Sequence, residues 1–339
     1  MKHFAWLIML SCFTTVVVAQ ENQPVPVTVK NFIRAESNLY MSAVALKEDG
    51  FGKFEHKREL SPIDQQTVIR QNRDTLYSAA VFDLDAGPVT ITLPDAKRFM
   101  SLQTISEEEY SPPATYAPGQ LTVTREGIGT RYVLVGIRTL VDPTKSGDLE
   151  ACHALQDAIH VDQPGGPGKL EIPQWDPVSQ KKVRDALIVL STTLTETSRS
   201  FGLPEEVDPI EHLISAAATW GGNPPKDATY LTFTPPENDG KTVYSLTVKD
   251  VPVDAFWSIS VYNAQGYFQK NDANAYSLNN LTAKKNNDGS VTIQFGGSVG
   301  SAPNILPIMA GWNYTVRLYR PRNEILDGTW KFPEARPLN

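Results

Sequence analysis

Apolar and polar residues alternate along most of the chain, which predicts a mainly β protein with a helical segment in its middle. The predicted strands fall into two groups, and turns rich in Gly, Pro and Asp divide the strands within each group. The first group covers residues 75–84, 89–93, 99–105, 120–124 and 132–137. The second covers residues 230–234, 243–248, 256–262, 290–295 and 314–319. We therefore expect an α+β fold with two β-rich units, the second an antiparallel sandwich or jelly roll.

The strand at residues 256–262 shows the alternation most clearly. Its two faces are expected to differ in polarity, because successive side chains of a strand point to opposite sides. One face carries Trp257, Ile259 and Val261, and the other carries Phe256, Ser258, Ser260 and Tyr262.

Apolar residues at spacings of three and four predict helices over residues 29–48, 148–159, 179–201 and 209–220. Asp208 before Pro209 is typical of a helix start, since Asp caps free amides and Pro suits the first helical position. The buried stripe of the first helix is predicted to comprise Phe32, Ala35, Leu39, Ala43 and Leu46. The stripe of the 179–201 helix is predicted to comprise Val183, Leu187, Leu190 and Leu194.

The length of 339 residues favours two domains. We predict an N-terminal β-rich domain over residues 20–147, a helical connector over 148–222 and a C-terminal β-sandwich domain over 223–339. Residues 1–19 have the pattern of a signal peptide, with Lys2 before an apolar stretch and the small residue Ala19 at its end. We expect export to the periplasm or the exterior after cleavage near Ala19. No later segment is apolar for long enough to span a bilayer.

Charge and cysteine content narrow the function classes. The net charge is −7 and no run of Lys or Arg forms a basic stripe, so we expect no nucleic-acid partner. Cys152 is the only cysteine after the predicted cleavage, which excludes an internal disulfide in the mature chain. Because Leu149 and Leu155 share its helical spacing, we interpret Cys152 as a small core residue rather than a nucleophile.

Residues 70–74, with the sequence RQNRD, place two cations and an anion directly before a predicted strand. One interpretation is structural: a capped turn whose Arg–Asp pair fixes the strand. The other is functional: Arg73 binds an anionic or polar ligand, and Asp74 orients that ligand or acts as a general base. The residue types alone favour the structural interpretation.

A face of the predicted helix at 148–159 resembles a metal site in composition. It carries Glu150, His153, Asp157 and, beyond the helix, His160. The two histidines are about 10 Å apart along a helix axis, which is too far for one tetrahedral ion. We therefore predict a solvated face and no metal, with His153 and Asp157 as the nearest candidates. The sequence identifies no cofactor.

Motifs in both halves resemble two known families. NRDTLYS at residues 72–78, DL at 83–84, GP at 87–88 and LPD at 93–95 resemble domain of unknown function 1254. PVDAFWSISVYN at 252–263, NILP at 304–307, RLYRP at 317–321 and DGTW at 327–330 resemble domain of unknown function 1214. The resemblance implies an exported protein with a β-rich first part and a jelly-roll-like second part, and it implies no activity. Ile305 departs from the pattern, since many members carry tryptophan there.

The polar and aromatic residues of these motifs suit two roles. Tyr and Trp offer flat apolar faces and Asn and Arg offer directional hydrogen bonds, so the set can hold a small polar molecule. The same set can form a buried polar network between two sheets, which we favour for most of its members. The candidate ligand-binding residues are Asn72, Tyr77, Trp257, Asn304, Arg317 and Tyr319. The candidate catalytic residues are Asp74 and Arg73.

Two classes of function follow. The first is an exported protein that binds a small polar molecule at the domain interface and, if it is a hydrolase, uses Asp74 as its base and Arg73 or Arg317 to stabilise charge. The second is a non-catalytic module for glycan or a partner protein, and a structural homo-oligomer is a further alternative. Exposure of three tryptophans on one surface would favour the glycan or protein module, namely Trp175, Trp257 and Trp312.

Overall fold

Two β-rich units and a group of helices make up the protein in the computed structural model, which describes residues 23–66, 69–194, 196–298 and 300–338. The predicted signal peptide lies outside the described residues. Strands outnumber helices and pair almost entirely in antiparallel sheets, which confirms the mainly β, α+β prediction. Within the described part of the chain, no helix has both the length and the apolar character needed to cross a bilayer.

The first β-rich unit contains two sheets around one apolar core. The larger sheet has the spatial order β1-β2-β7-β4-β5, and the smaller has the order β6-β3-β8. The larger sheet consists of β1 (Glu55–His56), β2 (Thr75–Asp83), β4 (Met100–Ser106), β5 (Thr115–Tyr116) and β7 (Tyr132–Leu140). The smaller consists of β3 (Val89–Leu93), β6 (Gly119–Val123) and β8 (His160–Asp162). Their shared core includes Ala80, Phe82, Ile91, Leu102 and Val135.

The second β-rich unit is a sandwich of two four-stranded sheets, as the alternation predicted. One sheet has the order β14-β13-β10-β16 and the other has the order β12-β11-β15-β9. The first contains β10 (Tyr244–Val248), β13 (Val291–Phe295), β14 (Ile305–Leu306) and β16 (Arg336–Pro337). The second contains β9 (Ala228–Phe233), β11 (Trp257–Tyr262), β12 (Ser277–Asn279) and β15 (Asn313–Tyr319). Trp257, Ile259 and Val261 point into the core between these sheets, as predicted.

Among the α-helices of the described residues, three pack together beside the sheets. The helices are α1 (Phe32–Ser42), α2 (Arg125–Ile128), α3 (Asp148–Asp157), α4 (Pro177–Ser191), α5 (Pro209–Ala218) and α6 (Asn323–Leu326). The apolar cluster shared by α1, α4 and α5 includes Phe32, Leu187 and Ile214. The predicted cap of α5 is confirmed, because the Asp208 carboxylate accepts hydrogen bonds from the amides of Ile210 at 2.9 Å and Glu211 at 3.1 Å.

Two predicted helices end earlier than their apolar spacing suggested. The helix expected to reach residue 201 ends at Ser191, where the hydroxyls of Thr192 and Thr193 bond to carbonyls three residues back. Such local side-chain bonds compete with continued helix. The helix α3 ends at Asp157, and His160 lies in β8, where it pairs with Thr92 of β3. His160 therefore does not share a helical face with His153.

The buried face of α1 also differs from the predicted stripe. Leu39 is 45% exposed and Leu46 is 71% exposed, whereas Glu36 and Asn38 are buried. Both polar residues have partners: Arg184 donates to the Glu36 carboxylate, and the Trp175 indole donates to Asn38. A π-helical turn at Ala43–Lys47 further shifts the register, since it places more residues in each turn than an α-helix does.

This register predicts a large loss of stability on truncation of one apolar residue of this segment and a small loss for another. Met41→Ala should lower the free energy of unfolding by about 2–5 kcal/mol, because the Met41 side chain is fully buried. Leu46→Ala should change it by less than about 0.5 kcal/mol, because the side chain faces solvent. Urea unfolding of both variants measures the difference. Equal destabilisation would contradict the observed register.

Candidate functional site

The face of β15 that points away from the sandwich core is polar and turned toward the first β-rich unit. Along this strand, Asn313, Thr315, Arg317 and Tyr319 alternate with core residues such as Val316. Each of these four polar residues contacts the segment at residues 70–74, which precedes β2. The charged segment at residues 70–74 therefore joins the first unit to the second.

Arg70 begins this contact. Its Nη1 donates to Asn313 Oδ1 at 2.6 Å and to Thr315 Oγ1 at 3.2 Å. Its amide donates to the carbonyl of Gly266 at 2.7 Å, and its backbone is left-handed with φ of 53°. This uncommon conformation for a non-glycine residue is fixed by bonds at both ends of Arg70.

Arg317 continues the contact from the opposite side. Its Nη2 donates to the carbonyl of Arg70 and to the hydroxyl of Tyr262, each at 2.7 Å, and its Nη1 donates to Ser260 Oγ at 3.0 Å. The Tyr262 hydroxyl in turn donates to the carbonyl of Gln71 at 2.7 Å. Arg317 is a predicted ligand-binding residue, but in the structure its guanidinium joins the two units through these hydrogen bonds.

Asn72 and Asp74 complete the contact. Asn72 Nδ2 donates to the Tyr319 hydroxyl at 3.0 Å, and Asn72 Oδ1 accepts from the Asp74 amide at 2.8 Å. Asp74 Oδ1 accepts from Asn279 Nδ2 at 3.1 Å. Oδ2 of Asp74 and the adjacent hydroxyl of Ser258 are buried without a hydrogen bond of normal geometry among the described residues.

The environment of Asp74 does not suit the general base that the sequence suggested. The side chain is 2% exposed and borders neither of the two clefts described below. Burial raises the pKa of Asp74, and contacts with Ser258, Arg317 and Asn279 oppose that rise only in part. The carboxyl group therefore serves the interface.

Arg73 points away from its neighbour Asp74. Its guanidinium donates to the carbonyl of Ser61 and lies 5.5 Å from the centre of the Tyr276 ring. It borders a cleft of about 380 Å³ that Lys145 also borders. The two predicted catalytic residues therefore lie on opposite sides of the chain, as side-chain alternation in extended backbone requires.

Trp257 and Asn304 lie within the second unit. The Trp257 ring packs edge-on against Phe332 at 5.9 Å. Asn304 Nδ2 donates to the carbonyls of Lys284 at 2.8 Å and Thr292 at 2.9 Å, so it joins a loop to a strand. Both predicted ligand-binding residues have structural contacts and no contact with the interface segment.

The tryptophan surface expected of a glycan-binding module does not form. Trp257 and Trp312 are buried in the sandwich core, and Trp175 is partly buried beside α1.

The candidate metal ligands are both engaged by one arginine. His153 Nε2 lies 2.7 Å from the carbonyl oxygen of Arg58, and the Asp157 carboxylate pairs with the Arg58 guanidinium. In the described parts of the chain, no group of three or more His, Cys, Asp or Glu side chains is placed to hold a metal ion. Cys152 is buried as predicted, and this burial raises the pKa of its thiol.

Arg138 was missed by the sequence analysis, because the predicted strand ended at residue 137. It lies on β7 directly between Tyr77 of β2 and Ser101 of β4, on the sheet face turned toward the second unit. Its Nη1 donates to Gln103 Oε1 at 2.8 Å and to Asn223 Oδ1 at 3.3 Å. Tyr77, a predicted ligand-binding residue, has its ring centre 5.7 Å from the Arg138 guanidinium carbon.

A cleft of about 550 Å³ lies at the boundary of the two units. Phe99 and Tyr116 border it from the first unit, and Phe256 and Arg320 border it from the second. The Arg320 guanidinium carbon lies 4.7 Å from the centre of the Tyr116 ring. Phe256 and Arg320 lie in the motifs at 252–263 and 317–321, but the sequence did not place them beside Phe99 and Tyr116, because the walls come from segments more than 100 residues apart.

Comparison with known proteins finds two family models that match separate parts of the chain. Residues 51–108 match the family model described as Protein of unknown function (DUF1254), and residues 234–323 match that described as Protein of unknown function (DUF1214). The chain therefore carries matches to these two domains in tandem, as the motifs predicted. No curated protein matches the sequence significantly.

One of two similar solved structures supports the fold. The crystal structure of the VPA0106 protein from Vibrio parahaemolyticus is similar with a TM-score of 0.69 and 17% sequence identity, over 92% of this chain and 98% of that one. A putative uncharacterized protein from Burkholderia cenocepacia gives a TM-score of 0.49 and 12% identity, over 87% of this chain and 85% of that one.

The interface bonds of Arg317 predict a large loss of stability on its removal. Arg317→Met should lower the free energy of unfolding by about 3 kcal/mol or more, because several buried polar partners lose their hydrogen bonds together. The matched control is Arg322→Met, since the Arg322–Asp254 pair is exposed and should contribute less than about 1 kcal/mol. Chemical denaturation compares them, and similar losses would contradict the role assigned to Arg317.

Glu109 is a second buried carboxyl group, near the end of α5. Its Oε1 accepts from the Gly221 amide at 2.9 Å, and its Oε2 is buried without a partner among the described residues. Burial raises the pKa of Glu109 from 4.5 to about 8, against the opposing effect of the Gly221 bond. The folded protein therefore holds a proton at Glu109 that the unfolded chain releases at neutral pH.

This proton predicts a pH dependence of stability. The raised pKa in the folded state means that stability falls as the pH rises from about 4.5 to about 8. Between pH 5 and 8 the wild type should lose about 2–4 kcal/mol more than Glu109→Gln, which has no proton to release. Unfolding at several pH values measures this, with the exposed Glu205→Gln as control. Parallel profiles for wild type and Glu109→Gln would contradict the assignment.

Proposed function

We propose that this chain is an exported protein that binds a small anionic molecule in the 550 Å³ cleft between its two β-rich units. The charge balance of the cleft is the observation that carries the proposal, because four cations border it against three carboxylates, namely Lys97, Arg98, Lys145 and Arg320 against Asp142, Asp148 and Asp254. The Asp142 carboxylate accepts hydrogen bonds from the Thr144 amide at 3.0 Å and hydroxyl at 2.6 Å. The Asp148 carboxylate on its wall is paired with Arg98 at 2.7 Å. The Asp254 carboxylate is paired with Arg322 at 2.7 Å. Arg320, by contrast, forms no ion pair with any described residue.

Further positive charge surrounds Arg320. Lys145 borders both this cleft and the smaller one that contains Arg73, and its Nζ is 3.9 Å from the already paired Asp148. Lys97 also borders the cleft and pairs outward with Asp95. An excess of cations over carboxylates at the mouth of a cleft attracts anions and concentrates them there.

The aromatic wall indicates the rest of the ligand. Phe99 lies 5.1 Å from Phe256 and 5.9 Å from Tyr116, ring centre to ring centre. Phe99 and Tyr116 keep part of their surface exposed toward the cleft. The cleft volume is within the usual range for small-molecule sites. An anion with a flat or apolar body fits both the aromatic wall and the cationic rim.

The proposal is limited to binding. Hydrolysis would need a base beside the ligand, and the candidate base Asp74 borders neither cleft. A glycan-binding module would need an aromatic surface, and the tryptophans that suggested one are mostly in the core. Export rests on the signal-peptide pattern of residues 1–19.

Native mass spectrometry of the purified chain, followed by titration calorimetry with aromatic and aliphatic carboxylates and organic phosphates, tests the proposal. Arg320→Gln should weaken binding at least tenfold, because the ligand loses its unpaired cation. Arg336→Gln is the matched control, since Arg336 is exposed in the same unit and does not border the cleft. Equal effects of the two substitutions, or no binding of any anion, would contradict the proposal.

A further inference from the structure

We infer that a second, smaller binding site lies between the two facing sheets, where Arg138, Tyr230 and Tyr319 take the carboxylate group of a small molecule. This site is distinct from the cleft at Arg320. Its existence does not depend on the function proposed above.

The site has a cation without an anionic partner. Arg138 takes part in none of the ion pairs found among the described residues. Its Nη1 bonds to two neutral amide oxygens, those of Gln103 and Asn223. Asn223 also donates to the Tyr230 hydroxyl, which places Tyr230 near the guanidinium. A guanidinium enclosed between sheets is stabilised by a carboxylate far better than by neutral oxygens.

Two tyrosine hydroxyls add donors at the same place. The Tyr230 hydroxyl accepts from Asn223 Nδ2 at 2.6 Å, and the Tyr319 hydroxyl accepts from Asn72 Nδ2 at 3.0 Å. Among the described residues neither hydroxyl has an acceptor for its own proton. Burial raises the pKa of Tyr319 well above its ordinary value, so this hydroxyl keeps the proton that it would donate.

Open space lies beside these donors. A Cβ added at Gly136, two residues before Arg138 on the same face of β7, would meet no other atom within 4 Å. Ala79 pairs with Gly136 on the neighbouring strand, so two small residues form the floor. Tyr77, Ala79, Gly136 and Arg138 all keep part of their surface exposed, although β2 and β7 are inner strands of the sheet.

An aromatic pair separates this space from the larger cleft. The Tyr319 ring stacks on Phe256 at 4.2 Å between centres, and Phe256 borders the cleft on its other side. A substitution in either site therefore leaves the other site's donors in place.

The surplus of donors over acceptors defines the ligand. Arg138, Tyr230 and Tyr319 offer protons and no free carboxylate faces them in the described structure. A carboxylate presents two acceptor oxygens in one plane, which matches one guanidinium edge and flanking hydroxyls.

Titration calorimetry of the full chain with acetate, and with inorganic phosphate and chloride at constant ionic strength, tests the inference. Acetate should bind saturably with a stoichiometry of one at this site. Arg138→Gln should weaken acetate binding at least tenfold, and Tyr230→Phe should weaken it about threefold to tenfold. Arg336→Gln should leave acetate binding unchanged, because Arg336 is exposed and belongs to neither site.

Gly136→Val keeps the test valid if Arg138→Gln does not fold. The added side chain would occupy the open space without touching existing atoms at its Cβ, so thermal unfolding should be unchanged or higher while acetate binding is lost. Gly136→Ala should give a smaller loss. Acetate binding that survives in Gly136→Val, or phosphate binding in place of acetate, would overturn the carboxylate site. Loss of acetate binding only in Arg320→Gln would overturn it as well.

Discussion

Arg317 holds a buried positive charge at the junction of the two β-rich units, and neutral oxygen atoms accept its hydrogen bonds. The carbonyl of Arg70 and the hydroxyls of Tyr262 and Ser260 accept its protons. A charge in such surroundings is tolerated only while every acceptor stays in place, because each lost bond leaves a buried ion less compensated. The segment at residues 70–74 must therefore lie against β15, and the relative position of the two units follows from that contact.

The same contact positions the candidate sites. Asn72 anchors the start of β2 to Tyr319, and β2 then carries Tyr77 to the face where β7 presents Arg138. On the opposite sheet, the pairing of β9 with β15 places Tyr230 beside Arg317. Two polar rows thus face each other across the interface, and the aromatic pair of Tyr319 and Phe256 closes one end of it toward the larger cleft.

Most of the fold was predictable from alternation, and much of the site was not. The predicted strand at 89–93 coincides with β3. Alternation also predicts which side of residues 256–262 is polar. Periodicity gives the face on which a side chain lies, but it does not give the partner on the other element. The partners here are about 240 residues apart, as with Asn72 and Tyr319. Leu39 was misplaced for the same reason, since buried Glu36 has a distant arginine that no local pattern reveals.

The balance of hydrogen-bond donors and acceptors differs between two parts of the interface, the surroundings of Arg70 and Arg317 and the site proposed at Arg138. Around Arg70 and Arg317 the guanidinium groups meet backbone carbonyls, hydroxyls and an amide oxygen, so this part of the network is closed by the protein itself. Arg138 differs, because only its Nη1 donates to amide oxygens, those of Gln103 and Asn223. The hydroxyl protons of Tyr230 and Tyr319 have no acceptor among the described residues. Donors beside open space bond to water, and a carboxylate that displaces this water gains charge-assisted hydrogen bonds. The binding surface that we propose along β7 and β9 therefore lies within a few residues of the contacts that join the two units.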